Sequence, residues 1–203
     1  MRNYSIDALK FICAVLIVFL HVPGRFCSYY LPVTRCAVPC FFIISGYFLM
    51  GENMGERMKK GSIRMFKLML GSSLLFAIVL FVTHHLKLES IIPSTEKIID
   101  FVLLNDNPWG FHLWYLGAYL YVLLICILID KYKKWHIAFM MTPILLITDL
   151  IMGKYSLLIM NREFPYIYVR NFLFVGLPYF LIGAYMKLKN IRLRGGHEIA
   201  WGG

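Results

Sequence analysis

Apolar positions along the chain gather into six long runs, about 7–22, 33–50, 63–83, 111–129, 136–153 and 166–186. Short polar or turn-forming stretches separate them: Pro23-Gly24, "GENMGERMKKGS", Pro93-Ser94, "NDNPWG", "DKYKKW" and "NREFP". Runs of this length match helices that cross a hydrocarbon layer roughly 30 Å thick at 1.5 Å per residue. The pattern therefore predicts an all-α, polytopic integral membrane helix bundle of about six transmembrane helices. Residues 1–190 form one transmembrane domain. The stretch 191–203, too short and too rich in glycine for another span, is expected to be an unstructured tail. No internal repeat and no low-complexity tract interrupts this plan.

Composition agrees with the pattern. Hydrophobic residues make up 60% of the chain and charged residues 16%, with mean hydropathy +0.67; a soluble domain of this length cannot hide so much apolar surface. The partner implied is the lipid bilayer. The first run contains charge and lacks a small-residue cleavage site, so it reads as a retained helix. A net charge of +10 points to nucleic acid only if the charge forms one face, and here it follows the loops instead. With the N-terminus inside, the cytoplasmic side receives Arg2, Lys10, Arg57, Lys59, Lys60, Arg64, Lys67, Lys131, Lys133, Lys134, Lys187, Lys189, Arg192 and Arg194. The other side receives Arg25, Arg35, Lys87, Lys97, Lys154, Arg162 and Arg170. That split of 14 against 7 places both termini in the cytoplasm. The cysteines resemble neither a disulfide framework nor a metal site: Cys13, Cys36, Cys40 and Cys126 sit inside apolar runs. Cys36 and Cys40 lie one turn apart with no accompanying ligands, so no metal is expected.

Ionisable groups inside the spans mark candidate chemistry, because charge in hydrocarbon is costly. The first run, "IDALKFICAVLIVFLHVP", carries Asp7, Lys10 and His21. Lys10 and His21 are eleven residues apart, which on a helix returns to within about 20° of one face and separates them by roughly 16 Å. Asp7 shares that face. His21 titrates near neutrality and can take or give a proton. The second run opens with Arg35 and contains Ser45-Gly46-Tyr47, where the small pair also suits close helix contact. The basic stretch Arg57, Lys59, Lys60, Arg64 and Lys67 follows the positive-inside pattern and could also dock a cytosolic polyanion. His112 is followed by Trp114, Tyr115, Tyr119 and Tyr121, an interfacial aromatic belt that would equally suit stacking on a sugar. Arg170-Asn171 lie just inside the sixth run, and Asp149 is the expected anionic partner of Arg170.

Four blocks resemble membrane-bound acyltransferase family 3, the bacterial enzymes that O-acetylate surface polysaccharides. "IDALKFICAVLIVFLHV" is similar to the family's opening helix, with Lys10 and His21 in the matching places. "RCAVPCFFIISGYFL" resembles its second-helix motif. "KKGSIRMFKL" resembles the basic start of the third helix through Lys60 and Arg64, although this pattern is looser than the arginine-rich form. "HLWYLGAYLY" resembles the fourth block. Family members usually carry more helices than six, so the chain resembles the N-terminal part of such an enzyme.

The resemblance implies a transmembrane acyltransferase domain over 1–190, in a bacterial inner membrane, moving an acetyl or other acyl group from cytoplasmic acetyl-CoA to a hydroxyl of a cell-envelope saccharide or similar acceptor. Acetyl-CoA is then a donor substrate, and no tightly bound cofactor is expected. His21, with Lys10 and Asp7, would be catalytic. Lys60, Arg64 and Lys10 would hold the acyl-CoA phosphates. Arg35, Ser45, Tyr47, His112, Trp114 and Arg170 would support the acceptor. A homo-oligomer is compatible with this reading. Two alternatives remain open: a non-catalytic transport or sensor domain of the vancomycin-resistance serine-racemase type, a branch of the same family, and an inactive truncated remnant.

Overall fold

The computed structural model describes residues 4–21, 27–83, 92–189 and 191. The expected tail falls outside these residues except for Ile191, as do Pro23-Gly24 and residues 84–91. Among the described residues the chain is helical and contains no strand. The principal helices are α1 (Tyr4–His21), α2 (Cys27–Thr34), α3 (Ala37–Leu49), α4 (Met54–Thr83), α5 (Thr95–Leu104), α6 (Trp114–Lys131) and α7 (Trp135–Met152). Short α8 (Ser156–Met160) and α9 (Tyr166–Val169) lead to a π-helical turn, Phe172–Gly176, that runs into α10 (Leu177–Leu188).

Five helical stretches are long and apolar enough to cross a membrane: Tyr4–His21, Leu31–Leu49, Met54–Thr83, Trp114–Lys131 and Trp135–Met152. The sixth expected run is corrected. Its apolar helix is the shorter Phe172–Leu188, because the backbone breaks at Asn171. The Asn171 carboxamide oxygen accepts the N–H groups of Leu173 and Phe174 at 2.9 and 3.1 Å and so starts a new helix there. Pro178, one turn on, has no N–H to return to Phe174, and the wider π-turn absorbs that missing bond. Arg170-Asn171 therefore sit at a bend ahead of the span.

Helices in lipid gain no hydrophobic drive from meeting one another, so close approach and polar contacts hold the bundle. α3 and α10 meet through reciprocal glycines. A Cβ on Gly46 would collide with the Phe180 carbonyl, and one on Gly183 with the Ile43 carbonyl, so the backbones touch. Around that seam Phe42, Phe180 and Leu181 join Met58 of α4 and Val122, Leu123 and Cys126 of α6 in one buried cluster. α4 lies along α6. By contrast, α1 buries only Ile6 and Cys13.

The stretch between the third and fourth runs contains α5, which starts at a Ser94 cap and ends at Asn105 in the left-handed region (φ 56°). From there "NDNPWG" is a polar knot. The Asn105 amide donates to the Trp114 carbonyl at 3.2 Å, and its oxygen accepts the Phe172 N–H at 3.1 Å. The Asn107 amide donates to Ser73 Oγ of α4 at 2.6 Å while its oxygen accepts the Trp109 N–H at 3.0 Å. Non-helical backbone survives beside a membrane helix only when its polar groups are satisfied in this way. The knot fixes α4, α6 and the π-turn together, and with them the turn that carries His112.

Candidate functional site

At one end of the bundle two histidines meet. His21 is the last residue of α1, and His112 sits in a 3₁₀ turn, Phe111–Leu113, just ahead of α6. Their rings approach edge to face at 5.9 Å between centroids, and Phe76 of α4 stands against His112 at 4.5 Å. Burial, and then the proximity of His21, lower the pKa of His112 below its ordinary 6.5. A histidine held neutral beside a second histidine can accept a proton at neutral pH. The sequence singled out both residues; it gave no sign that they pair, nor that Phe76 would wall the pair.

Below this pair, Ser45 of α3 stands within hydrogen-bonding reach of the Tyr115 and Tyr119 hydroxyls. Those two rings stack in parallel at 6.0 Å, and both pack against Phe42. Ser45 thus belongs to a polar thread between α3 and α6. Its neighbour Gly46 makes the contact with α10, so the two residues of one tripeptide serve different partners.

At the opposite end of α1, about 16 Å away along the helix, the Lys10 ammonium stands 5.2 Å over the Phe48 ring. The Lys187 ammonium stands 5.2 Å over Tyr47. These rings border a cleft of about 760 Å³ lined by Tyr47, Phe48, Glu56, Arg57, Lys60 and Lys187, among others. Arg57 donates to the Phe48 carbonyl, and Lys60 pairs with Glu56 at 3.6 Å. Aromatic faces with several cations suit a ligand that is both planar and anionic. Of the residues expected to hold the acyl-CoA phosphates, Lys60 lines the cleft, as do Arg57 and Lys187, while Lys10 stands over the Phe48 ring at its border. Arg64, one turn beyond Lys60 on an exposed face of α4, does not line the cleft. Lys187 arrives from α10, far along the chain, so no local spacing could have announced it.

The remaining candidates lie apart from the two ends. Asp7 is half-buried in the first turn of α1, three residues before Lys10. Arg35 is exposed just ahead of α3. Trp114 packs its ring against the buried cluster and gives its carbonyl to Asn105. Arg170 and Asp149 interact electrostatically as expected, and Tyr179 of α10 also faces Asp149.

Known proteins were compared with this arrangement. A family model described as an acyltransferase domain matches residues 3–203. The chain belongs to this acyltransferase family, which the four sequence blocks resembled. Its membrane helices and the family together make it a membrane acyltransferase domain. A protein from Enterococcus faecalis named an amino-acid racemase is 29% identical over 206 residues, covering 92% of this chain and 28% of that protein. The chain thus spans less than a third of that relative's length. No solved structure matches it.

Proposed function

We propose that the chain transfers an acetyl group from cytoplasmic acetyl-CoA to a hydroxyl of a cell-envelope saccharide on the far side of a bacterial inner membrane. The observation that carries this reading is the layout of α1: a histidine pair at one end and, on the same helix, a lysine beside an aromatic, cation-rich cleft at the other. The cleft's size lies within the usual range of small-molecule sites, and its cations match phosphates while Tyr47 and Phe48 offer faces to an adenine. A pantetheine arm is roughly as long as α1 between Lys10 and His21, so a donor held in the cleft brings its thioester toward the histidines. There His21, within reach of neutral His112, takes the proton of the acceptor hydroxyl as its oxygen attacks the thioester carbonyl and the thiolate of CoA leaves. Asp7 complements the positive start of α1 and keeps company with Lys10.

Positioned base catalysis is typically worth about 10²–10⁴-fold. His21→Gln preserves size and polarity without basicity, so it is expected to remove surface O-acetylation, read by mass spectrometry of envelope glycans, while expression and membrane insertion stay normal. Wild-type acetylation in that variant would refute the mechanism. The racemase relative supports a second reading, in which the chain is the membrane portion of an amino-acid racemase system and binds no acetyl-CoA. Saturable acetyl-CoA binding by the purified protein, weakened when Arg57 and Lys187 are both replaced by alanine, speaks for the first reading; absence of binding speaks for the second.

A further inference from the structure

A second hollow, of about 590 Å³, lies between α4 and α6. α4 contributes Ile63, Phe66, Lys67 and Leu70, spaced i, i+3, i+4 and i+7, and α6 repeats that spacing from Gly117 to Leu124. Gly117 brings no side chain, which deepens the α6 wall. Phe101 of α5, packed against Trp109 at 6.3 Å, closes the end nearer the histidines. Ile63, Phe66 and Leu70 all stay exposed, so the groove opens sideways, where hydrocarbon surrounds the bundle.

Two of the three polar side chains in the lining are committed. Ser62 Oγ donates to the Lys59 carbonyl at 2.9 Å, and the Tyr121 hydroxyl to the Val102 carbonyl at 2.6 Å. The third is Lys67, which stands where the apolar stripe calls for a hydrophobic residue. Among the described residues it makes no ion pair. A cation within a membrane helix needs an anion or a route to water. Side chains lean toward the helix N-terminus, so the Lys67 stem leans toward the basic end of α4, where Arg64 is its neighbour three residues away. Walls whose hydrogen bonds are already made suit an alkyl chain better than a sugar or a nucleotide, and cations at the mouth suit a phosphate.

We propose that this groove binds an anionic phospholipid of the surrounding bilayer, with one acyl chain between α4 and α6 and the headgroup phosphate at Lys67 and Arg64. From Ser62 to Leu70 the groove follows about 12 Å of helix rise, close to the roughly 15 Å of hydrocarbon in one leaflet. Charge selects the lipid: a zwitterionic headgroup carries its own ammonium and gains less from two cations. The site also gives a role to Arg64, which lies outside the cation-rich cleft. It stands whether or not the chain transfers acyl groups.

The test titrates the full-length protein, delipidated in detergent micelles, with phosphatidylglycerol or phosphatidylcholine of equal chain length and counts bound lipids by native mass spectrometry. Phosphatidylglycerol is expected to bind saturably and roughly tenfold or more tighter than phosphatidylcholine. Lys67→Gln and Arg64→Gln should each weaken it about fivefold, the usual worth of one basic side chain near an anionic lipid surface. Lys59→Gln removes a cation of the same helix that does not line the groove and should bind like the parent. Leu124→Trp fills the groove from an exposed position and should lose the bound lipid with both cations in place. Equal affinity for the two headgroups, parent-like binding by Leu124→Trp, or the same loss in Lys59→Gln as in Lys67→Gln would overturn the proposal.

Discussion

Replacing Asn105 with alanine tests how the polar knot holds the histidine turn. The side chain is almost fully buried, at 1% exposure, and makes two hydrogen bonds, one to the Trp114 carbonyl and one from the Phe172 N–H. Each such bond contributes about 0.5–1.5 kcal/mol net, and its loss also strands a buried partner. The backbone at φ 56° adds a separate term, since an ordinary side chain in the left-handed region costs about 1–2 kcal/mol where asparagine is tolerated. Together Asn105→Ala should lose about 2–5 kcal/mol. Asn105→Gly divides the sum: it loses the same two bonds but accepts the left-handed backbone, so it should be about 1 kcal/mol less damaging. Reversible unfolding in mixed micelles, followed by tryptophan fluorescence, measures both. Because the bonds run to α6 and the π-turn, the His21–His112 contact should loosen in both variants. Equal stability of Asn105→Ala and the parent would refute the account, and equal loss in the alanine and glycine variants would refute the backbone term.

Other outcomes follow from the same contacts. Gly183→Ala places a Cβ against the Ile43 carbonyl and the Tyr47 amide; the obstacle is backbone, so the loss should reach the upper part of the roughly 1–3 kcal/mol usual for overpacking. Gly71→Ala, with open space around it, should be neutral or gain up to about 1 kcal/mol through helix propensity, and a loss there as large as at Gly183 would sink the packing argument. Burial, and then Asp100, push the Asp106 carboxyl above its ordinary 3.8 against the pull of Lys97. The folded chain then keeps a proton that the unfolded chain has already released, so this group adds stability as pH falls toward the ordinary value and withdraws it as pH rises through the raised one. Asp106→Asn should flatten that slope and raise the unfolding midpoint at neutral pH; an unchanged slope in pH-dependent unfolding would contradict the shift.

The sequence carried the membrane class, five of its spans and the special standing of α1, because hydropathy and helix periodicity are local signals. It misjudged the sixth run for a local reason as well: "RNFLFVGLP" is apolar enough to continue a span, and only the hydrogen bonds of Asn171 and the missing N–H of Pro178 show that the helix restarts there. α5 was hidden because ten residues between turn signals read as easily as loop. The site was legible as residues and not as an arrangement. His21 and His112 each stood out by type, yet their approach depends on Asn107 holding Ser73 and on Asn105 holding Trp114, contacts between segments far apart in sequence. Lys187 was read only as a topology signal and Arg57 as one that could also dock a polyanion, since positive-inside charge and a ligand cleft draw on the same residues.

The weak packing of α1 has a bearing on its role. Catalytic and binding elements tend to come from the less stable parts of a structure, where local motion costs little. α3, α6 and α10 are locked by touching glycines and one buried cluster, whereas α1 buries only Ile6 and Cys13. In the proposed reaction a donor entering at the Lys10 end would pass a thioester along this helix while the His21 end kept its geometry beside His112. A rigid α1 would close the path that such an arm needs, and a detached one would lose the histidine pair. The proposed reaction would be served by this division: His112 is anchored, through the asparagine knot, to the rigid part of the bundle, and its partner sits on the helix with the fewest buried side chains among these.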